Sequence, residues 1–288
     1  MSFFILPREK KINPGRADFF SWQFISTEGN IMVITYSSMK GGVGKTTDSI
    51  LTATNLAARG FKVLYFDLDP NNSGTMYFTA GIENIAETIE RCNVFESLSH
   101  NSIKNYAIKS RVENIDIIPS HLNIYKLRGI GYNELQKTLR DNGYDYVVID
   151  TAPTYDNIVI NALIAADIIL TPLEFTSFNL TTTKFLQRQI YDDCPHQAEK
   201  WYLLYSHWQE KLAIFSTSTQ SQFVQVFESE FQNILDVHIP QTSAADKYVQ
   251  TDEKISITSR TVGAKRLATE INKLVNMLAE NSNEVEKF

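Results

Sequence analysis

From residue 31 onward the chain switches repeatedly between two kinds of apolar pattern. Short runs with almost no polar interruption fall at residues 31–37, 62–68, 115–118, 146–149, 168–173, 201–205 and 234–239. Runs of this length, rich in Val, Ile and aromatic residues, read as strands. Between them lie stretches with helical character: residues 45–59, 83–98, 133–141, 157–165, 180–191, 220–231 and 262–278. Gly60 and Gly143 mark the ends of two of these predicted helices. Strands without polar alternation are covered on both faces, as in a mostly parallel sheet with helices on either side. The expected architecture is therefore one doubly wound α/β domain over residues 29–288. Residues 1–28 break the pattern, because Pro7, Pro14, Gly15 and mixed charges leave no period. Phe19, Phe20, Trp22 and Phe24 are too many aromatics for a purely solvated tail, so this extension is expected to pack on the main domain or on a partner.

Charge and composition narrow the function. With 33 acidic residues against 27 Lys and Arg, the 288-residue chain carries a net charge of −6. That excludes an overall basic nucleic-acid binder, so any DNA contact must come from a local patch. Cys92 and Cys194 lie too far apart for a metal-ligand pair and fit a reducing interior. No apolar run approaches the roughly 20 residues of a membrane span. Residues 1–7 lack a basic stretch followed by a long apolar one, so a signal peptide is not expected. A cytoplasmic protein without a membrane partner is the expectation.

The chemistry concentrates in the turn between the first strand and the first helix, Ser38-Met39-Lys40-Gly41-Gly42-Val43-Gly44-Lys45-Thr46-Thr47. A strict G-x-x-x-x-G-K-[ST] phosphate loop would place glycine at position 39, where Met39 stands, but the rest of the pattern is present. Gly41, Gly42 and Gly44 let the backbone turn its N–H groups toward a phosphate chain, and the loop opens onto a helix N-terminus. Lys45 can reach the β- and γ-phosphates, and the Thr46 hydroxyl is placed to ligate Mg²⁺. Two acidic elements end later strands: Asp67-Leu68-Asp69-Pro70 and Ile149-Asp150-Thr151. In a doubly wound sheet the carboxyl ends of the strands line the ligand crevice, so Asp67, Asp69 and Asp150 converge on the loop. A nucleotide–Mg²⁺ site is the expected result.

At these residues the sequence resembles the ParA/MinD ATPases. Lys40-Gly41-Gly42-Val43-Gly44-Lys45-Thr46-Thr47 is similar to their deviant Walker A box, Asp67 to Pro70 to their second box, and Val147-Val148-Ile149-Asp150 to their Walker B. The likeness continues through residues 166–172 and Ile239-Pro240 to the last helix. The resemblance implies ATP and Mg²⁺ as cofactors, with Gly41 to Thr47 around the phosphates and Pro240 near the adenine. It implies that Lys40 crosses to a partner's nucleotide in an ATP-dependent homodimer and neutralises charge there, as an arginine finger does. Lys45 would hold the β/γ-phosphates, Thr46 the metal, and Asp69 the attacking water, while Asp67 and Asp150 support the metal shell. Hydrolysis would be slow and stimulated by a partner.

Within that family, residues 151–156 contain no cysteine to bridge an iron–sulfur cluster, and residues 281–288 no tyrosine cluster of a kinase tail. Glu270 and Glu280 interrupt the polar face of the last helix, which reads as a core helix rather than a basic membrane anchor. The resemblance thus points to a ParA-type partition ATPase that binds DNA non-specifically when ATP-loaded, associates with the nucleoid in that state, and answers to a ParB-like centromere-binding protein. Candidate DNA contacts are Lys184, Arg188, Arg260, Lys265 and Arg266. The acidic net charge, and Gln241 where many relatives carry arginine, keep open a positioning ATPase acting on a membrane or protein scaffold.

Overall fold

The computed structural model describes residues 31–140, 143–210, 218–245, 248 and 261–283. The 1–28 extension and Arg260 lie outside them. One eight-stranded sheet organises the rest, with β1 (Met32–Tyr36), β2 (Val63–Leu68), β3 (Ile108–Lys109), β4 (Ile115–Ile118), β5 (Tyr146–Thr151), β6 (Ile168–Leu173), β7 (Trp201–Trp208) and β8 (Ile234–Pro240). Their order across the sheet is β3-β4-β2-β5-β1-β6-β7-β8, and only the two-residue edge strand β3 runs antiparallel. Chain connections leave β1 toward one side first and toward the other later, so a switch point falls at β1, where ligands bind in such sheets. The expected doubly wound fold is what the chain forms.

Every residue of β2, β5 and β6 is buried, which accounts for their unbroken apolar runs. On one face α1 (Lys45–Ala58) packs with the last helix, α9 (Val262–Asn283). Leu267, Ile271, Leu274, Val275 and Leu278 of α9, spaced three and four apart, are all buried in that layer. The apolar stripe of the last helix is thus engaged in the core, as its acidic residues imply. The opposite face carries α4 (Val94–Ser99), α5 (Glu134–Thr138) and α6 (Asn157–Ala165). Beyond β6 and β7 lie α7 (Ser177–Asp193) and α8 (Thr219–Glu230).

Local chemistry corrects two expected helices. The predicted helix 83–98 is two, α3 (Ile85–Arg91) and α4, because Asn93 turns extended (φ −156°, ψ 175°). The Asn93 carboxamide oxygen accepts from the N–H groups of Phe95 and Glu96, an N-cap that starts a new helix inside the run. The predicted helix 133–141 shrinks to α5, five residues. Further elements were not expected, among them the edge strand β3 and a 3-10 helix at Pro195–Lys200. Helix α2 (Ser73–Thr79) follows β2, and a 3-10 helix (Leu122–Gly129) follows β4.

Phe227 of α8 is fully buried among Phe175, Tyr205, Phe223 and Phe231, with ring centroids 5.9–6.5 Å away. Replacing it with alanine removes the ring and leaves a cavity, so Phe227→Ala should cost about 3–5 kcal/mol in urea denaturation. A loss below about 1 kcal/mol would mean that α8 does not seal this end of the sheet.

Candidate nucleotide site

The strand register assembles the site. Tyr36, the last residue of β1, pairs with Asp150, and Asp150 pairs on its other side with Asp67 of β2. The loop after β1 is pinned from both neighbours. Thr151 donates its hydroxyl to the Tyr36 carbonyl at 2.8 Å, Thr171 donates to the Ser37 carbonyl at 2.7 Å, and Ser37 N–H donates to Leu170 at 3.0 Å. Gly41 and Gly42 are exposed, whereas Val43 points into the protein and is fully buried. Gly44 enters α1 in a left-handed conformation (φ 102°), and no side chain caps that helix. Its first N–H groups are therefore available to an anion.

Gly44 is also confined in space. A Cβ built there would meet Ser206 Oγ at 2.6 Å and Asp48 Oδ2 at 3.4 Å. Gly44→Ala should cost about 1–2 kcal/mol for the backbone conformation and a further 1–3 kcal/mol for the overlap. Calorimetry should register a lower Tm together with weakened nucleotide binding; an unchanged Tm would contradict this geometry.

Lys45 is buried and donates to the Lys40 carbonyl at 3.2 Å, folding back across the loop. Burial pulls its pKa down, while the facing Asp150 and Asp69 carboxylates pull it back up. Thr46 donates its hydroxyl to Asp150 Oδ2 at 2.6 Å. Asp150 is fully buried, its other oxygen has no partner, and its pKa is raised well above the usual range by burial and by Asp67. An orphaned buried carboxylate oxygen beside a threonine hydroxyl suits a hard cation bearing its own water and phosphate ligands. Among the described residues no group of three or more His, Cys, Asp or Glu could hold a metal by itself.

Asp67 is placed differently. Its Oδ1 accepts from Asp69 N–H at 3.1 Å, and its Oδ2 accepts both the N–H and the hydroxyl of Thr75 at 2.7 Å. Burial raises the Asp67 pKa to about 6 despite these donors. It thereby anchors the start of α2 and shapes the turn that carries Asp69. The Asp69 carboxylate accepts from Asn71 N–H at 2.9 Å and stays 8% exposed.

Lys40 sits at the rim rather than inside. Its ammonium donates to Glu174 and, at 3.5 Å, to Thr176 Oγ1, both just past β6. His207 Nδ1 approaches the second Glu174 oxygen at 4.0 Å. His207 itself has φ 56°, a conformation seldom adopted by a residue with a Cβ and often found at functional positions.

His207 also lines a cavity of about 340 Å³ beside the loop, together with Gly44, Thr47, Asp48, Ser206, Pro240 and Gln241. That volume fits a nucleoside, within the range of small-molecule pockets. Pro240 was expected there. Ser206, His207 and Gln241 were not, since they come from the ends of β7 and β8 with no motif of their own. Asp48 was also missed, although an acidic residue one turn into an apolar helix was a visible departure. It is buried, and its Oδ2 has no hydrogen-bond partner.

The expected DNA contacts separate into two groups. Lys184 pairs with Glu230 at 2.6 Å, and Arg266 pairs with Glu210 at 2.5 Å and with Glu270 at 3.7 Å. Arg188 and Lys265 are exposed.

The chain is similar to several known proteins in sequence and in fold. The AAA domain family (AAA_31) matches residues 31–192. The sporulation initiation inhibitor protein Soj of Bacillus subtilis is 32% identical over 182 residues, covering 57% of this chain and 69% of that protein. The chromosome partitioning protein ParA of Caulobacter vibrioides is 30% identical over 171 residues, covering 56% of this chain. The match spans 62% of the Caulobacter protein's length, less than two thirds. In three dimensions the fold is similar to a plasmid partition protein from Borrelia burgdorferi bound to AMPPNP, with a TM-score of 0.69, 22% identity, and 88% and 99% of the two chains covered. The chain belongs to the AAA domain family and to its ParA-type ATPases.

Proposed function

We propose that this protein is a nucleotide-switched partition ATPase. ATP places its phosphates against the N–H groups from Gly41 to Thr47 and against Lys45, with its base and ribose in the cavity beside Pro240. Thr46 and Asp150 hold Mg²⁺, which supplies charge neutralisation at the β- and γ-phosphates. Asp67 fixes the turn behind them, and Asp69 orients the attacking water. Lys40 leaves Glu174 and reaches the nucleotide of a second copy, so the dimer forms only around ATP. That dimer binds DNA without sequence preference, and a ParB-like partner speeds hydrolysis and release.

What carries this reading is the contrast between the two lysines of one loop. Lys45 is buried among carboxylates, whereas Lys40 stands at the rim, tied only to side chains that follow β6. A single-site nucleotide pocket needs the first lysine and has no use for the second. The relatives' names add support, one being a chromosome partitioning protein and one a plasmid partition protein. The test is sedimentation of the full chain with Mg²⁺ and ATP, ADP or neither, alongside phosphate release. A dimer with ATP alone and slow phosphate release are expected. A monomer in every state would remove the switch.

A second reading has its own observations. The net charge is −6, and Lys184 and Arg266 already face carboxylates. They favour a positioning ATPase whose matrix is a protein scaffold or membrane. Co-sedimentation of the ATP-loaded protein with zwitterionic liposomes, together with absent DNA binding, would select its membrane form.

A further inference from the structure

Two of the cations expected to meet DNA, Lys184 and Arg266, are neutralised by carboxylates, but another surface keeps its charge. From residue 117 to residue 133 the chain contains no Asp or Glu, and the 3-10 helix Leu122–Gly129 lies within that stretch. In a 3-10 helix, positions three apart lie one above the other. Ile124 and Leu127 form the buried row, at 1% and 5% exposure. Tyr125 and Arg128 form an outward row, and Lys126 is exposed beside them. Neither Lys126 nor Arg128 has a carboxylate partner among the described residues. Their charges lie over aromatic rings, Lys126 Nζ at 5.6 Å from the Phe95 centroid and Arg128 Cζ at 4.8 Å from that of Tyr125. A cation resting on a ring is held in place while its charge stays available to an anion.

The surroundings suit a long polyanion. The exposed strip continues through Gly129 to Gly131, where the Glu134 carboxylate bounds it, and a Cβ at Gly129 would meet nothing within 4 Å, so a polymer backbone can approach closely there. Ile124, Leu127 and Leu135 are buried beneath the strip, while Leu122, Tyr125 and Tyr132 stay exposed beside the two cations, where they can pack on sugar or base edges next to the phosphates. The strip also hangs from the nucleotide site. Ser120, two residues before the 3-10 helix, donates its hydroxyl to the Asp69 carbonyl at 2.7 Å. Its N–H donates at 2.8 Å to Thr75 Oγ1, which in turn donates to Asp67. A shift of the Asp67–Asp69 turn therefore reaches this surface through two hydrogen bonds.

We infer that the 3-10 helix Leu122–Gly129 and residues 129–133 form a contact surface for the phosphate backbone of duplex DNA, with Lys126 and Arg128 as the phosphate ligands. This rests on the partition reading above and gives it a location away from Lys184 and Arg266. Such contacts position without reading sequence, and their number sets the salt dependence of binding.

The test is fluorescence anisotropy of a random-sequence duplex with the full-length protein, Mg²⁺ and ATP, over a salt series. Lys126→Ala/Arg128→Ala should flatten the slope of log affinity against log salt by about 1.8, two contacts at roughly 0.9 each. Lys137→Ala, which removes a nearby charge already paired with Glu134 at 2.7 Å, should leave the slope unchanged. Binding of a fluorescent ATP analogue to the same samples identifies any variant that fails to fold. In that event Arg128→Gln alone carries the test, with a slope change of about 0.9. Wild-type binding with an unchanged slope in the double variant would overturn this surface and leave the partition reading standing. So would a variant that keeps DNA binding but loses affinity for polyglutamate, which would assign the strip to an acidic protein. No duplex binding by the wild type would overturn the partition reading and this inference together.

Discussion

Lys45→Ala should weaken ATP binding by the isolated chain about thirtyfold or more, whereas Lys40→Ala should leave that binding close to wild type and remove the ATP-dependent dimer. The difference follows from where the two ammonium groups lie. Lys45 is buried at the mouth of the loop, facing Asp150 and Asp69, where a phosphate chain would complete its environment. Truncating one partner of such a desolvated charge pair costs about 2–5 kcal/mol, or roughly thirtyfold and more in affinity. The contacts of Lys40 inside the loop, with Ser38 and Lys45, are made by its backbone and survive truncation, whereas its ammonium meets Glu174 and Thr176. Its loss therefore falls on the partner's nucleotide. Glu174→Gln should act in the opposite direction, because weakening that restraint in the monomer frees Lys40 and lowers the ATP concentration at which dimers form. Titration calorimetry for binding, with sedimentation velocity for mass, separates the two effects. Equal loss of ATP binding in Lys40→Ala and Lys45→Ala would place both lysines on the same nucleotide and contradict the crossing role.

Asp69→Ala is the second large effect, and it lies in turnover rather than binding. Asp69 is held on the turn after β2 by Asn71 N–H and by the hydrogen bonds of Asp67, and its charge acts on Lys45 of the loop. A carboxylate that orients or deprotonates an attacking water contributes roughly 10²–10⁴-fold to rate. Phosphate release should fall by that factor while ATP binding and dimerisation survive, so the variant accumulates in its ATP-bound form. Asp150→Ala should behave differently. It removes the carboxylate beside Thr46 and should raise the Mg²⁺ concentration needed for nucleotide binding. If Asp69→Ala retained wild-type phosphate release, the water-orienting role would belong to another residue.

Much of this site was legible in the sequence because its parts are local. The phosphate loop, the acidic strand ends and the apolar strands each occupy a few consecutive residues. The sheet then brings them together by a register any parallel βαβ fold provides. What stayed hidden depends on contacts between distant segments. Periodicity carried the 83–98 helix straight through Asn93, because a capping carboxamide looks like any polar residue until its N–H partners are known. Glu174 gave no sign that it holds Lys40, 134 positions earlier. Lys184 and Arg266 read as surface cations, and only the fold brings Glu230 and Glu210 against them. Lys126 and Arg128, which have no carboxylate partner among the described residues, were overlooked for the same reason: what sets a cation apart is the absence of a neighbouring carboxylate, which composition does not display.

The most direct test of the central claim is duplex DNA binding at low salt by the full-length protein with Mg²⁺ and ATP, ADP or no nucleotide. The nucleotide site, the crossing lysine and a DNA matrix together predict tight binding with ATP and little with ADP or without nucleotide, steeply weakened by added salt. Equal binding in all three states, or none in any, would contradict a nucleotide-switched DNA partner.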